Sequence, residues 1–571
     1  MAISSGTTTS NPDNQNYLFR NDCNGSFTRI TDTITNTNFT TGGYAPGVWM
    51  DYDNDGDLDM VLYKGRGSNP VPKSAELYIN NGSGSFTRSS DGVLINDTLR
   101  PRSASVVDYD NDGWLDIYVA NRSVPSNLYR NNQSGDFIKI TTGDIVSDIG
   151  TGASNSSAWG DFDNDGDMDC YVGASSYGFF YTNNGNGTFT KITGSPITNV
   201  AGSNYGPCWV DYDNDGDLDL FLQDAFSPNL LFMNNDSGTF TQVTAAPFVQ
   251  GNGQGQGGAT WGDYDNDGDL DLFLANDNFI ASRFFVNNGN GTFTEDTTEI
   301  ITNDVLVEAA AATFADIDND GDLDLYVCNA FASNGPSNYL YTNKGNCNNW
   351  VKIKCIGTQT NKQAIGARVY VKATINGVQT NQMREINGNC NLSGGANGVT
   401  AAEEHFGIGN AVTIDELKIV WPKSGITEVF TNVSPNEFYD ETEGTYQLVS
   451  HTACGSSSTM KERQLDNTSN ENSQTAPIAI ENVSNFSVQA RVYPNPNNGN
   501  ISVEVNDELK AQNAEFVLYD LLGHKLFASR LFDNKSSFAL NGNGVDQGIY
   551  YYNIVAANGQ IIKHEKLVII K

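Results

Sequence analysis

The stretch Asp211–Asp219, with the sequence DYDNDGDLD, places five carboxylates within nine residues. Identical copies occupy 51–59 and 263–271, and close variants begin at Asp108, Asp161 and Asp316. Successive copies begin 50 to 57 residues apart. A fixed period of this length indicates a repeat architecture in which each copy belongs to one supersecondary unit.

Each acidic stretch sits inside the same larger pattern. A β-type run such as Leu218–Leu222 follows it, and then an aromatic strand, an Asn-Gly turn and another strand, as in 179–189. Asn-Gly between apolar residues is a strong hairpin signal. A large apolar residue stands two positions before every copy: Trp49, Val106, Trp159, Trp209, Trp261 and Phe314. Four short strands per repeat predict an all-β fold, a β-propeller.

The number of blades follows from the hairpins. The hairpin signature occurs seven times, because a copy at 17–28 precedes the first acidic stretch. A hairpin without neighbours would leave exposed strand edges. We therefore expect seven blades, the seventh closed by strands from beyond residue 345. A six-bladed ring with an N-terminal flap is the alternative.

The acidic stretches predict calcium loops. Oxygen ligands at positions 1, 3, 5 and 9, a backbone carbonyl at position 7 and Gly at position 6 suit Ca²⁺. An EF-hand would need Glu at position 12, where this chain has Leu or Val. The predicted ligand residues are Asp51, Asp53, Asp55, Asp57 and Asp59; Asp108, Asp110, Asp112, Trp114 and Asp116; Asp161, Asp163, Asp165, Asp167 and Asp169; Asp211, Asp213, Asp215, Asp217 and Asp219; Asp263, Asp265, Asp267, Asp269 and Asp271; Asp316, Asp318, Asp320, Asp322 and Asp324.

Two other interpretations of these loops are weaker. Asp-rich turns can simply solvate a surface, and carboxylate pairs can hydrolyse glycosides. A general acid needs a raised pKa, whereas carboxylates around a dication stay ionised. About six structural Ca²⁺ ions are therefore expected, and they would bring the net charge of −36 to −24.

The amino-acid composition argues against several classes of protein, nucleic-acid-binding proteins among them. With 32 Lys and Arg against 68 Asp and Glu, the surface repels nucleic acid. No apolar stretch reaches the length of a membrane span. The start, MAISSGTTTS, lacks a signal peptide, which indicates either a trimmed N-terminus or a cytosolic protein. The eight cysteines include no CxxC, and their pairing stays open.

Catalytic motifs are scarce in the repeats. Residues 1–345 contain no histidine, which excludes histidine triads and histidine-ligated zinc there. Aromatic and polar residues on the connections away from the acidic loops suit sugar stacking or peptide binding. The alternative is that each aromatic packs between blades. The candidate ligand-binding residues are Arg102, Tyr177, Tyr205, Phe226, Gln254, Gln256, Phe279 and Phe331.

Residues 17–346 resemble FG-GAP/VCBS repeats, in spacing, flanking aromatic and hairpin alike. The resemblance implies a propeller with calcium loops on one face and ligand binding on the opposite face. Residues 347–446 resemble the ASPIC/UnbV domain of cartilage-acidic-protein-like proteins, through Asn349–Lys354, Ala364–Val371, His405–Gly409 and Val420–Gly425 in that order. That family implies a β module without an assigned activity, and His405 is expected to be structural.

The last segment resembles a secretion signal. After a flexible N-terminus at 1–16 and a polar linker at 447–488, residues 489–571 open with Val492–Gly499 and end at Lys566–Lys571. They are similar to the type A C-terminal sorting domain of the type IX secretion system of Bacteroidetes, a β-sandwich. The resemblance implies Sec export, recognition by the type IX machinery, and an extracellular or outer-membrane surface location.

Together these features predict a secreted or cell-surface, calcium-stabilised propeller that binds a glycan or protein partner, in an adhesin-like role. Two alternatives stay open. One is an extracellular polysaccharide-degrading enzyme, lyase-like in mechanism. The other is a structural component of a surface layer or filament.

Overall fold

The computed structural model of this chain is built almost entirely of β-strands, as the sequence predicts. Short helices at Val93–Asn96, Asp144–Ser147, Pro196–Thr198 and Pro247–Val249 interrupt the strands in the described part. The structure describes residues 2–4, 16–21, 26–30, 43–66, 74–82, 84–122, 124–148, 154–174, 177–198, 200, 204–224, 227–235, 238–250, 258–276, 281–297, 309–329, 338–390, 403–451, 490–493, 500–505, 515–519, 525–531, 535–540, 548–555 and 561–569.

The chain forms two compact units, Met1–Ser469 and Asn470–Lys571. The first unit begins with an N-terminal sheet of β1 (Ala2–Ser4), β2 (Asn16–Asn21) and β3 (Phe27–Ile30). Most of the predicted N-terminal segment 1–16 and linker 447–488 lies outside the described residues. No helix in the described ranges has the length and apolar character needed to cross a bilayer.

Six antiparallel sheets follow, and each contains one acidic loop between its first two strands. We number them blades 1 to 6. Blade 1 is β4 (Gly43–Met50), β5 (Asp59–Arg66), β6 (Ala75–Asn80) and β7 (Phe86–Arg88); blade 2 is β8 (Pro101–Val107), β9 (Asp116–Asn121), β10 (Asn127–Asn131) and β11 (Phe137–Ile140); blade 3 is β12 (Ser154–Gly160), β13 (Asp169–Ala174), β14 (Phe179–Asn183) and β15 (Phe189–Ile192).

The remaining blades keep this strand order. Blade 4 is β16 (Asn204–Val210), β17 (Asp219–Asp224), β18 (Leu230–Asn234) and β19 (Phe240–Val243); blade 5 is β20 (Ala259–Gly262), β21 (Asp271–Leu274), β22 (Arg283–Asn287) and β23 (Phe293–Asp296); blade 6 is β24 (Ala309–Ala315), β25 (Asp324–Asn329) and β26 (Tyr339–Tyr341). Four strands per repeat are thus present in blades 1 to 5, and three are described in blade 6.

One repeated hydrogen bond joins neighbouring blades. An asparagine at or just after the end of a blade's third strand donates from Nδ2 to the carbonyl at loop position 2 of the preceding blade. The pairs are Asn131 to Tyr52, Asn183 to Tyr109, Asn234 to Phe162, Asn287 to Tyr212 and Asn343 to Tyr264, over 2.6–2.9 Å. Each blade is therefore tied to the loop of the one before it.

The same bond closes the ring through the N-terminal sheet. Asn21, at the end of β2, donates to the Ile317 carbonyl of blade 6 at 2.9 Å. On the other side, Leu18 packs with Met60 and Tyr78 of blade 1. The described residues therefore form a ring of seven sheets. The seventh sheet takes its third strand from β1, so the expectation that strands from beyond residue 345 complete it was wrong.

Aromatic side chains fill the spaces between blades. Trp159 of blade 3 meets Tyr118 of blade 2 edge-on, with ring centroids 5.5 Å apart. Trp209 of blade 4 stacks on Phe162 of blade 3 at 5.9 Å. Both tryptophans are buried, and such pairs add about 0.5–1.5 kcal/mol beyond their area burial. The apolar residue before each acidic stretch is thus an inter-blade packing residue.

Residues 349–451 form two four-stranded sheets, which we call the cap domain. One sheet has the order β31-β27-β34-β35, and the other has the order β29-β28-β32-β33. The strands of these sheets are β27 (Asn349–Ile356), β28 (Arg368–Ile375), β29 (Val378–Glu385), β31 (Glu403–Gly409), β32 (Ile414–Val420), β33 (Thr427–Val433), β34 (Glu437–Thr442) and β35 (Val449–His451). A ninth strand, β30 (Gly388–Cys390), belongs to neither sheet. A single cluster of buried apolar side chains continues from blades 1 to 3 into the cap domain.

The second unit contains two sheets around its own core. The sheet orders are β36-β37-β40 and β39-β38-β41-β42. Phe516 and Tyr552, with ring centroids 5.2 Å apart, lie in its centre. The strands are β36 (Ala490–Tyr493), β37 (Asn500–Val505), β38 (Glu515–Tyr519), β39 (Lys525–Arg530), β40 (Lys535–Ala539), β41 (Gly548–Val555) and β42 (Ile561–Ile569).

We predict that the inter-blade asparagines differ in their energetic contribution. Asn183→Ala leaves the buried carbonyls of Tyr109 and Met168 without their donor, at a cost of ~2–4 kcal/mol in the free energy of unfolding. Asn21→Ala removes an exposed bond, should cost at most ~1 kcal/mol, and should speed hydrogen exchange in the N-terminal sheet alone. Denaturant unfolding and exchange measurements test this, and equal global losses would contradict it.

Candidate metal centres

All six acidic loops have the same backbone path, which depends on two residues. The asparagine at loop position 4 has φ between 52° and 63°, and the glycine at position 6 has φ between 85° and 103°. Asn is among the few side chains that adopt the left-handed region readily, and Gly does so at no steric cost. The sequence Asn-x-Gly thus turns the chain sharply enough for carboxylates on both sides to converge.

Backbone amides hold the carboxylates at positions 1 and 9, as blade 4 illustrates. Asp211 accepts from the amides of Asp215 at 3.1 Å and Gly216 at 3.2 Å. Asp219 accepts from the amide of Asn234 at 2.8 Å and from that of Tyr212 at 3.3 Å. These bonds fix the orientation of both carboxylates before any ion arrives.

The carboxylate at position 3 has an oxygen without such a partner. In five loops its Oδ1 is buried and accepts no hydrogen bond within the described chain: Asp53, Asp110, Asp163, Asp213 and Asp318. Leaving a buried carboxylate oxygen unpaired is costly. Groups such as Asp108, Asp110 and Asp116 have ligand atoms within 4.8 Å of one another. An all-oxygen cluster with an orphaned inner oxygen fits a hard cation.

The electrostatics of the bare loops also favour a cation. Burial, reinforced by neighbouring carboxylates, raises the pKa of Asp59 to about 7 and that of Asp211 to about 8. The same causes raise the pKa of Asp163 to about 6. Ionised carboxylates are therefore unfavourable in these loops without a compensating charge, which a bound dication supplies.

Neighbouring loops are also linked to one another. The position-4 asparagine donates to position 7 of the next loop, as Asn164 does to Asp217 at 2.6 Å and Asn111 to Asp167 at 2.7 Å. The side chain at position 7 thus bridges loops rather than facing the carboxylate cluster. Where position 7 is Trp114, Asn54 donates to the Gly113 carbonyl at 3.3 Å instead.

The cap domain covers this end of the propeller. Arg368 lies 3.5 Å from Asp161 Oδ2, at loop position 1 of blade 3, and 3.0 Å from Glu385. It also donates to the carbonyl of Asp161 and to the side chain of Asn164. The side chains of Arg368, Asp161 and Glu385 are all buried. The one cation therefore compensates two carboxylates that have little contact with water.

Blade 6 receives two groups from the cap domain, the ammonium of Lys352 and the imidazole of His405. Lys352 Nζ is 3.3 Å from Asp316 Oδ2 in blade 6 and also pairs with Glu403. Burial lowers the pKa of His405 to about 3, so its ring is neutral and Nε2–H donates to the Gly321 carbonyl at 3.0 Å. His405 therefore has a structural environment, in agreement with the sequence-based expectation.

The other loops meet the cap domain through amides and one buried arginine. The Asp51 amide donates to Gln363 at 2.6 Å, and the Gly407 amide donates to Asp263 Oδ2 at 3.1 Å. Asn361 reaches Asp108 Oδ2 at 3.5 Å. Burial lowers the pKa of Arg384, and the charge of Asp211 in blade 4 opposes that shift. Every acidic loop thus interacts with the cap domain, mostly at position 1, while position 3 faces the cluster.

A short strand of the cap domain enters the ring of first strands. β30 pairs antiparallel with β8, Gly388 opposite Val106 and Asn389 opposite Ser105. Asn389 also bonds both the amide and the carbonyl of Trp159 in β12, at 2.8 and 2.9 Å. The strand therefore bridges the first strands of blades 2 and 3. No local pattern in the sequence pointed to this insertion.

The candidate ligand-binding residues lie on the other connections, and few are described. Tyr177 is 53% exposed, and Arg102 is half-buried beside a bulge in β8. Tyr205 lies in β16, but its side chain is outside the described part. The remaining candidates fall outside the described residues: Phe226, Gln254, Gln256, Phe279 and Phe331. The predicted binding face therefore stays a prediction.

The buried ion pair predicts a strong effect on stability. Arg368→Met leaves Asp161 and Glu385 buried without their cation and should lower the free energy of unfolding by ~3–5 kcal/mol. The control Arg283→Met breaks a partly exposed pair with Glu295 and should cost no more than ~1 kcal/mol. Denaturant titrations in calcium buffer compare the two. Similar losses would show that the Arg368 contacts are energetically minor.

Three known families match successive regions of the chain. The FG-GAP-like repeat family matches at 6–62, 66–119, 108–172, 161–222, 211–274 and 263–327. The ASPIC and UnbV family matches at 357–447, and the secretion system C-terminal sorting domain matches at 491–571. No curated protein matches this chain. The sorting domain indicates type IX secretion to the cell surface or the extracellular space.

Solved structures resemble the chain only distantly. A lectin of Agrocybe aegerita that recognises non-reducing terminal N-acetylglucosamine is 16% identical, with a TM-score of 0.42, over 58% of this chain and 84% of the lectin. The six-bladed, fucose-recognising lectin of Aleuria aurantia is 13% identical, with a TM-score of 0.28, over 51% and 89%. PorZ, a type IX surface component of Porphyromonas gingivalis, is 11% identical, with a TM-score of 0.22, over 99% and 87%.

TM-scores this low support no conclusion about function. The matches to the FG-GAP-like repeat family, in contrast, cover a large part of the chain. They cover more than half of the 571 residues and coincide with the blades that contain the acidic loops. This chain belongs to the FG-GAP-like repeat family.

Proposed function

We propose that this protein is a secreted, calcium-stabilised propeller that binds a glycan or a protein partner, in an adhesin-like role, through the end opposite its acidic loops. The observation that carries the proposal is the cap domain. Because contacts such as those of Arg368 and Lys352 occupy the acidic-loop end, a partner has the other end of the ring to approach. That end is formed by connections, where binding residues commonly lie.

Calcium is the ion that suits the loops best. The loops offer oxygen ligands alone, and Ca²⁺ takes six to eight oxygens at about 2.3–2.6 Å in flexible geometry. The orphaned Oδ1 at position 3 and the raised pKa of Asp211 both support an ion among the carboxylates. Its role is structural, since it would hold together two strands of a blade and the loop that the cap domain contacts.

The calcium proposal predicts a clear contrast between two loop positions. Asp213→Asn removes a ligand whose Oδ1 has no other partner, and it should reduce the stabilisation by calcium. Asp217→Asn keeps an oxygen that can accept from Asn164, and it should resemble the wild type. Each ion at 100 times its Kd stabilises by ~2.7 kcal/mol.

Melting curves with Ca²⁺ and with a chelator, together with elemental analysis, provide the measurement. We expect chelation to lower the Tm of the wild type, and Asp213→Asn to bind about one ion fewer than Asp217→Asn. An unchanged melt, with no metal retained on the purified protein, would refute the calcium assignment.

The binding proposal is tested at Tyr177. This side chain is 53% exposed at the free end of blade 3, and Tyr446, 58% exposed, is a matched control in the cap domain. Stacking of a sugar or peptide on an aromatic ring is worth about 1 kcal/mol or more, so Tyr177→Ala should weaken binding about fivefold or more. Tyr446→Ala should leave it unchanged.

The ligand screen uses the full chain loaded with calcium, on glycan arrays and surface-protein panels. Binding that both variants retain equally would place the site elsewhere. No binding in any panel, accompanied by turnover of a polysaccharide to unsaturated or reducing-end products, would replace this proposal with the lyase-like alternative.

A further inference from the structure

Two glutamates lie side by side inside the cap domain. Glu428 is on β33 of one sheet and Glu441 is on β34 of the other, and both side chains are 0% exposed. The charged group next to Glu441 is Glu428, which has the same sign. Glutamate is almost never fully buried unless it is paired. These two carboxyls therefore need a partner that removes part of their combined charge.

The turn between β34 and β35 binds both carboxyl groups. Thr445 Oγ1 donates to Glu441 Oε1 at 3.1 Å, and the Gln447 amide donates to the same oxygen at 3.4 Å. Between them in the sequence, the Tyr446 amide donates to Glu428 Oε1 at 2.8 Å. Three consecutive residues thus donate alternately to the two glutamates, which places both carboxyls against one short stretch of chain.

The four carboxyl oxygens differ in their hydrogen bonds. Glu428 Oε2 accepts from the indole Nε1 of Trp421 at 2.6 Å, and its Oε1 accepts from the turn. Glu441 Oε2 is buried and accepts no hydrogen bond from a donor among the described residues. A buried carboxylate oxygen without a partner is costly. Protonation of Glu441 removes this cost, because a carboxylic acid is itself a donor and Glu428 is an acceptor beside it.

In the described part of the chain, the other groups around the two carboxyls bring no positive charge to them. Cys355 lies opposite Glu441 in the pairing of β27 with β34, and its charged neighbours are Glu404, Glu441 and Glu428. Burial raises the pKa of the Cys355 thiol well above its usual value, so this thiol is neutral. Glu404, on β31, has Arg384 as its own cationic neighbour. A proton is therefore the partner that fits between Glu428 and Glu441.

We propose that Glu428 and Glu441 share one proton, and that this proton is a pH-sensitive latch holding the turn between β34 and β35 on the cap domain. Two adjacent buried carboxyls titrate as a pair, because both cannot ionise without strong repulsion. When the proton leaves to solvent, this repulsion acts on the turn that binds both groups. Tyr446 and Val449 are each 58% exposed, so these two side chains contribute little apolar packing to hold the turn. The latch is separate from the calcium loops and from the proposed ligand-binding end.

The pH range of the latch follows from the direction of the pKa shift. Burial and then the charge of Glu428 raise the pKa of Glu441 from 4.5 to about 7. The closed turn therefore keeps a proton that the open, solvated turn releases at lower pH. The stabilisation by this proton is complete below pH 4.5 and decreases as the pH rises towards 7, by up to about tenfold in the opening equilibrium per pH unit. Above that range both states are deprotonated, and the opening equilibrium levels off.

The test is hydrogen exchange of this turn, measured by mass spectrometry on the full, calcium-saturated chain. After correction for the intrinsic pH dependence of exchange, the wild-type turn should open at least about tenfold more readily at about pH 8 than at about pH 5. Glu441→Gln is a neutral isostere of the protonated acid, so it should abolish this difference and stay protected at about pH 8. The control Glu437→Gln makes the same substitution at a half-buried position of the same strand and should keep the wild-type pH dependence.

An identical pH dependence in the wild type and in Glu441→Gln would overturn the latch. Protection at about pH 8 that K⁺ or Mg²⁺ restores in the wild type but not in Glu441→Gln would also overturn it, because a cation would then bridge the carboxyls. If Glu441→Gln does not fold, the exposed position Thr445 decides. Thr445→Val removes a donor that favours the ionised form of Glu441, so opening should level off at a higher pH. A loss of protection that is equal at every pH would show that the turn has no proton latch.

Discussion

The fold depends on gathering several carboxylates into each of six tight loops. Burial raises the pKa of Asp211 to about 8 and that of Asp59 to about 7, so a loop that keeps such groups ionised must compensate their charge. Backbone amides donate to the carboxylates at positions 1 and 9, as in blade 4, and Oδ1 of position 3 accepts no hydrogen bond from the described residues in five of the six loops. Everything else at this end of the molecule, from the left-handed asparagine at position 4 to the cap domain, is arranged around those carboxylates.

Three kinds of group compensate the negative charge of the acidic loops. Amides of the loop itself supply the first, as in the bonds from Asp215 and Gly216 to Asp211. Cations of the cap domain supply the second, with Arg368 and Lys352 placed against position 1 of blades 3 and 6. A bound dication would supply the third at position 3. Amides and cap-domain cations meet at the same oxygens, since Asp161 Oδ2 accepts from the Gly166 amide and also lies 3.5 Å from Arg368.

Covering one end of the ring has a consequence for function. The loops that dominate the sequence are contacted by the cap domain at position 1, and in our proposal their role is structural. At the other end of the strands, Tyr177 is exposed to solvent. The most conspicuous motif of this chain is therefore remote from the surface that we propose for ligand binding.

The sequence by itself determined what is local and repeated. Alternation, Asn-Gly turns and a fixed period specify blades, and Asp at positions 1, 3, 5 and 9 with Gly at 6 specifies an oxygen cage, because each depends on contacts within about twenty residues. The position-4 asparagine, present in every copy, could also have been recognised, although its partner lies in the next blade.

Only the tertiary structure decided how distant segments meet. The closing bond from Asn21 to Ile317, the pairing of β30 with β8, and the contact of Arg368 with Asp161 join residues 200 to 300 positions apart. A single arginine or a three-residue strand carries no periodic signal, and its partner is set by packing of whole domains. That is the physical reason why the cap domain seemed an independent module in the sequence and is part of the propeller's structure.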